Sequence, residues 1–262
     1  MKIPLYQIDA FAEKIFSGNP AAVCPLDSWL PDALMQQIAM ENNLAETAFF
    51  VPDGDTFQLR WFTPTIEVDL CGHATLASAH VIFNHLDYRG SEITFHSPRS
   101  GILKVRKNGD LLTLDFPTDI FKKIELTPEM ISAFNHPPLE VYRGKTDYLF
   151  IFENEEQIRT MQMDAAKVGH WEVRGIITSA AGEQVDFVSR FFAPQSGILE
   201  DSVTGSAHTT LTPYWSQRLG KTELTAMQLS SRQGHLQCKY LGERVEISGK
   251  AKTFMTGTLV LD

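Results

Sequence analysis

Phe62-Thr63-Pro64 leads to Cys71-Gly72-His73-Ala74, and the same chain carries a second version, Phe192-Ala193-Pro194 leading to Thr204-Gly205-Ser206-Ala207. In each version a β-rich run reaches a loop, and a glycine then opens a helix of small residues. The first backbone N–H groups of a helix have no intrahelical acceptor, so two such starts supply two sets of donors suited to a carboxylate. The pattern predicts a two-domain enzyme with one helix start in each half.

Working outward, the first helix is expected from His73 to about Leu86 and the second from Gly205 to about Leu219, with Gly220 as its C-cap. Strands are expected on both sides of each. Residues 3–9 and 20–24 flank the turn Gly18-Asn19-Pro20, and Asp53-Gly54-Asp55 and Asn108-Gly109-Asp110 read as hairpin turns. A helix over Pro31–Asn42 would be capped from Asp27 or Ser28, and short helices are expected near 127–134 and 163–170. Many short strands with one long apolar helix per half predict an α+β fold in which a curved sheet wraps a helix, because a βαβ sheet needs a helix after nearly every strand. The pattern restarts at Phe116-Pro117-Thr118-Asp119, which puts the domains at 1–118 and 119–262. Glu46-Thr47-Ala48-Phe49-Phe50-Val51 is matched with Asp147-Tyr148-Leu149-Phe150-Ile151-Phe152, an acid heading an apolar strand in each half.

The 262 residues are 43% hydrophobic and 21% charged, enough for two ordinary cores. A formal net charge of −9 without a Lys/Arg cluster argues against nucleic acid or an anionic membrane as the main partner, so an acidic substrate needs a local positive site. No apolar run reaches signal-peptide or membrane-spanning length. Cys24, Cys71 and Cys238 are odd in number and widely spaced, which indicates neither a disulfide framework nor a zinc ribbon; a cytoplasmic location is the default expectation.

Two readings of each helix start are open from the residues alone. His73 on the first turn, where the positive end of the helix dipole lies, is either a hydrogen-bonding and proton-transfer group or a structural histidine. Asp201 and Ser206 are either substrate contacts or, with Ser202, ordinary capping chemistry. Glu46 alone reads as readily as a solvated carboxylate at a strand end. His73 and His80 share a helix face but have no carboxylate at ligand spacing, so no metal is expected. Arg190 and Arg232 are the arginines that could bring positive charge to a site, although surface or structural pairing is the commoner fate of such residues.

Gly18-Asn19-Pro20-Ala21-Ala22-Val23, Glu46-Thr47-Ala48-Phe49, Cys71-Gly72-His73-Ala74-Thr75 and Glu200-Asp201-Ser202-Val203-Thr204-Gly205-Ser206-Ala207 together resemble, in order and across nearly the whole chain, the signature segments of the PhzF-like phenazine-biosynthesis isomerase family. The resemblance implies the diaminopimelate-epimerase-like fold: two similar pseudo-two-fold-related domains, each a mixed sheet rolled into a barrel around a central helix, with the active site between them. It also implies a cofactor-independent isomerase acting on a small carboxylated metabolite, commonly as a homodimer. By position, Glu46 matches the family's acid/base residue, and His73, Asp201 and Ser206 match residues beside the substrate. A carboxyl group enclosed away from solvent can both take and return a proton, while donors at Gly72, His73, Gly205 and Ser206 hold the substrate carboxylate.

The epimerase branch of that fold uses two cysteines, each directly before the helix-opening glycine. Here Cys71 stands at the first position and Thr204 at the second, and a threonine hydroxyl is too weak an acid for that role. Two-cysteine racemisation is therefore disfavoured, and Cys71→Ser is expected to be tolerated. The family's usual proline in the second motif is replaced by Ser202, a change expected to affect loop stiffness more than chemistry.

Overall fold

A computed structural model describes residues 1–261. The chain divides into two compact units, one of Met1–Asp115 with Ser248–Asp262 and one of Phe116–Ile247. The division at 118/119 assigned the last residues to the second half; in the structure the C-terminal strand pairs antiparallel with the N-terminal one, from Lys2↔Val260 to Ala10↔Ala251, and so joins the first unit.

The first unit opens with β1 (Lys2–Ala10), β2 (Asn19–Pro25), α1 (Asp32–Asn42), β3 (Glu46–Asp53), β4 (Thr56–Phe62) and β5 (Glu67–Val68). It continues with α2 (Gly72–His85), β6 (Glu92–Ser97), β7 (Gly101–Asn108) and β8 (Leu111–Pro117). In the sheet β1 is antiparallel to β2, β2 parallel to β3, β3 antiparallel to β4, β4 parallel to β6 and β6 antiparallel to β7. Helix α2 explains the curvature. Ten of its fourteen residues are buried, so it is apolar all round and needs cover on every side. Strands β1, β2, β3 and β7 supply it. Its hydroxyls are satisfied internally, Thr75 donating to the Cys71 carbonyl at 2.6 Å and Ser78 to that of Ala74 at 2.8 Å. The outer face of the sheet is covered by α1, whose Met35, Ile38 and Ala39 pack with Cys24, Phe49 and Phe62. The cap position of α1 is Pro31 rather than Asp27 or Ser28, and the helix stops at Asn43, in the left-handed region.

The second unit contains β9 (Lys122–Ile124), α3 (Pro128–Ser132), β10 (Glu140–Arg143), β11 (Asp147–Ile151), α4 (Glu155–Arg159), α5 (Ala165–Val168) and β12 (Gly175–Ala181). It continues with β13 (Phe187–Ala193), β14 (Ile198–Asp201), α6 (His208–Leu219), β15 (Glu223–Gln228), β16 (Gly234–Tyr240) and β17 (Arg244–Gly249), after which β18 (Ala251–Val260) returns to the first unit. The first unit's connectivity recurs: β10 is antiparallel to β11, β11 parallel to β12, β12 antiparallel to β13, β13 parallel to β15 and β15 antiparallel to β16. Helix α6 takes the place of α2 and carries Pro213 inside it. Proline lacks the N–H that would bond the carbonyl four residues back. The Asp119 N–H donates to that Thr209 carbonyl at 3.2 Å, so nothing is orphaned. A core of Phe134, Val141, Phe150, Ile158 and Val168 brings α4 and α5 onto the sheet.

Two expectations change here. The fold is α+β with mixed curved sheets and not a closed barrel as such, and β18 is solvent-exposed from Phe254 to Thr258. The strand match also shifts by one. By its neighbours β11 corresponds to β2, and β12 corresponds to β3, so the counterpart of Glu46 is Gly175 and not Asp147. An acid heading an apolar run is too short a pattern to fix that register. Among the described residues no helix is long and apolar enough to cross a membrane.

Candidate functional site

Gly18 fixes the entry to the first site. It has φ +70, and a Cβ there would lie 2.1 Å from the Ala10 carbonyl oxygen, so only glycine allows the chain to pass. That turn delivers Asn19, 1% exposed, to the head of β2. Its side-chain amide lies 3.1 Å from His73 Nδ1, the direction of the hydrogen bond being set by the ring tautomer. The other imidazole nitrogen, Nε2, lies 3.0 Å from Glu46 Oε2 at the head of β3. Cys71, in extended backbone just before α2, places Sγ 3.5 Å from His73 Nδ1. Glu46, Cys71 and His73 are thus gathered around one imidazole, with the Glu46 side chain 14% exposed and that of His73 5%. The Glu46–His73 approach lies off the line of a ring N–H, and Oε2 has no aligned hydrogen-bond donor among the described residues.

Burial pushes the Cys71 thiol up to about 11, and the Glu46 charge acts in the same direction against a smaller opposing effect of His73. At neutral pH Cys71 is a thiol and not a nucleophile. Burial by itself disfavours a charged His73, but its interactions with Cys71 and then Glu46 outweigh it and hold the imidazole well above its ordinary value. The Thr75 N–H donates to the Cys71 carbonyl at 3.1 Å, which leaves the N–H groups of Gly72, His73 and Ala74 without intrahelical acceptors.

In the second unit Gly205-Ser206-Ala207 forms a 3-10 turn before α6, so the α-helix begins three residues later than expected. The Ala207 N–H donates to the Thr204 carbonyl at 3.2 Å. Thr204 Oγ1 donates to Asp201 Oδ2 at 2.5 Å, and the Gln228 amide accepts from the Thr204 N–H at 2.8 Å and donates to the Asp201 carbonyl at 2.8 Å. Ser206 Oγ accepts from Arg174 Nη1 at 2.9 Å, and Arg174 is held by both oxygens of Asp147, which is 3% exposed. Each unit therefore brings a charged side chain to the residue after the helix-opening glycine: Glu46, which heads β3, meets His73, and Arg174, directly before β12 and one residue ahead of the position that matches Glu46, meets Ser206.

Arg174, Asp147 and Asn19 are the polar groups that the sequence reading did not place in the site. The signal for Arg174 is topological, since it becomes visible only when β12 is matched with β3. Arg190, one of the two arginines that reading considered, is tied to both oxygens of Glu200 at 2.7 and 2.9 Å and to the Met161 carbonyl at 2.9 Å, which makes it a structural cross-link. His80, neutral and pushed down to about 4 by burial, with His85 and the Lys107 and Lys252 charges adding to it, bonds Thr253 and stands apart from the Glu46 cluster.

His208, at the start of α6, is fully buried, and its Nδ1–H donates to the Thr204 carbonyl at 2.9 Å. Burial pushes its pKa down to about 4. Below pH 6.5 the unfolded chain takes up a proton that the folded chain refuses, so stability falls as pH drops from about 6.5 towards 4. The expected loss from this group is about 2 kcal/mol by pH 5. Urea melts at pH 7 and pH 5 measure it, and His208→Gln should reduce the difference by that amount.

A family model described as phenazine biosynthesis-like protein, PhzC-PhzF, matches residues 8–257. The chain belongs to the PhzF family. An uncharacterized isomerase of Pseudomonas aeruginosa is 49% identical over 261 residues, covering 100% of both chains. The human phenazine biosynthesis-like domain-containing protein is 37% identical, with 99% of each chain covered. A crystal structure of a PhzF family protein from Enterococcus faecalis superposes with a TM-score of 0.97 at 46% identity over 100% of both chains. A probable proline racemase from Agrobacterium radiobacter, at 8% identity and a TM-score of 0.67 over 99% of this chain and 93% of that one, shares the fold. This PhzF-family chain is an enzyme of the isomerase class for which its relatives are named.

Proposed function

We propose that the chain moves a proton between carbons of a small carboxylated metabolite, with Glu46 as the acid/base group and no cofactor. The observation that carries this is the Glu46–His73 contact of 3.0 Å, with Asn19 fixing the far side of the ring. In the reaction a substrate C–H bond breaks, its proton goes to Glu46, and the electron pair spreads into the adjacent unsaturated carboxylate system. Glu46 then returns the proton to another carbon as the double bond shifts. His73, disposed to carry positive charge, sits where negative charge develops, and the N–H groups of Gly72 and His73 can hold a carboxylate.

Asp201, Gly205 and Ser206 belong to the same reading as substrate contacts. Because Arg174 donates to Ser206 Oγ, the serine hydroxyl proton is left to point to another acceptor, for which we assign a substrate oxygen. Arg174→Met should raise KM about tenfold, the scale of a hydrogen bond to a charged group, with a smaller change in kcat.

The test is proton NMR in deuterated water on small carboxylic acids that stabilise the protein in a thermal-shift screen. Incorporation of solvent deuterium with migration of a double bond supports the reading. Inversion at a single carbon would instead indicate an amino-acid racemase or epimerase. If that chemistry ran through Cys71, Cys71→Ser would lose it completely, whereas the Glu46 reading leaves substantial turnover in this variant. Tight binding without exchange at any pH would indicate a metabolite-binding protein. Homodimer assembly is part of the proposal, and light scattering on the purified chain reads it directly.

A further inference from the structure

Glu46, Cys71 and His73 also form a donor set of a kind that proton transfer does not require. One ligand atom from each lies within 4.8 Å of the other two. Nε2 of His73 is 3.0 Å from Glu46 Oε2 and 4.0 Å from Cys71 Sγ. Zinc bonds of about 2.0–2.3 Å in a tetrahedron give ligand-to-ligand edges of about 3.3–3.8 Å, and the two spacings straddle that range. Cys71 Sγ lies nearer Nδ1, at 3.5 Å, than Nε2, so the Cys71 side chain must swing towards Glu46 for all three to meet one ion on Nε2.

Two features of the surroundings favour this. Glu46 Oε2 is buried and accepts no aligned hydrogen bond among the described residues, although it lies 3.0 Å from His73 Nε2. Asn19 stands at the imidazole nitrogen remote from Glu46. With its amide turned over, it would accept the Nδ1–H, the outer contact that orients a metal-bound histidine. The mixture of thiol, imidazole and carboxylate selects a borderline cation such as Zn2+ over Mg2+ or Ca2+, which prefer oxygen-only sites.

We propose that Glu46, Cys71 and His73 bind one Zn2+-type divalent cation, which occupies the carboxylate otherwise available for proton transfer and so blocks the site reversibly. On binding, the Cys71 S–H bond is replaced by a sulfur–metal bond and one proton is released to solvent. The binding claim stands on the donor geometry alone, whereas the inhibition claim rests on the proposed role of Glu46.

Co2+ added to the purified protein tests the binding claim by absorption spectroscopy. The expected result is saturation at one ion per chain, a thiolate-to-cobalt charge-transfer band in the near ultraviolet, visible bands of tetrahedral intensity, and displacement of all of them by Zn2+. Cys71→Ser should abolish the charge-transfer band, and Asn19→Ala should weaken binding about 10–100-fold. A wild-type titration without a charge-transfer band overturns the proposal whether or not any variant folds. So does a spectrum that is unchanged in Cys71→Ser but lost in His85→Ala, since His80 and His85, with ring centres 6.0 Å apart, would then be the ligands. A charge-transfer band in a protein that shows no hydrogen exchange would preserve the metal site and remove the isomerase reading. Exchange insensitive to Zn2+, without a band, would do the reverse.

Discussion

Glu46→Gln is expected to lower solvent deuterium incorporation about 10²–10⁴-fold, the usual contribution of a positioned acid/base group. The measurement is proton NMR in deuterated water, using any acid that the wild-type chain exchanges. The side chain keeps its shape, so the contact with His73 is altered in charge but not in size, and the melting temperature should stay within a few degrees. That separates a chemical loss from a structural one. Ligand-induced thermal stabilisation should persist, because the donors at Gly72 and His73 belong to the backbone of α2. Exchange within tenfold of wild type would place the proton carrier elsewhere. Cys71 is the weaker alternative, since burial keeps its thiol protonated.

Gly18→Ala is the second substitution with a large expected effect, although Gly18 carries no functional group. At φ +70 any side chain is strained by about 1–3 kcal/mol, and here the new methyl would also meet the Ala10 carbonyl oxygen at 2.1 Å and the Ala12 side chain at 2.9 Å. Gly54 provides the control. It has φ +61, and a methyl added there would meet nothing within 4 Å, so Gly54→Ala should show only the conformational part. Urea midpoints of the two variants, compared at equal slope, isolate the collision. Relief of that collision displaces Asn19 from His73, so Gly18→Ala should also lose exchange activity beyond its loss of stability, and Gly54→Ala should not.

Much of the first site was readable from the sequence because it depends on local rules. A glycine before a run of small residues marks the start of α2, and Gly18-Asn19-Pro20 marks a turn whose geometry admits little else. The second site was less readable. The 3-10 turn at Gly205–Ala207 looks like ordinary helix in composition. Arg174 sits at a strand head whose importance depends on which strand pairs with which, a long-range property that no local pattern fixes. The match of β3 with β11 failed for the same reason.

The antiparallel pairing of β1 with β18 makes the first unit the slower one to refold. The second unit is a single stretch, Phe116–Ile247, whose core strand pairs close within it. The first unit must join Lys2 to Val260 and Ala10 to Ala251 across that whole stretch, a closure of very high sequence separation. Until it closes, one edge of β1 is unpaired. In refolding from urea followed by pulsed hydrogen exchange, the amides of β11, β12 and β13 should gain protection before those that β1 and β18 share.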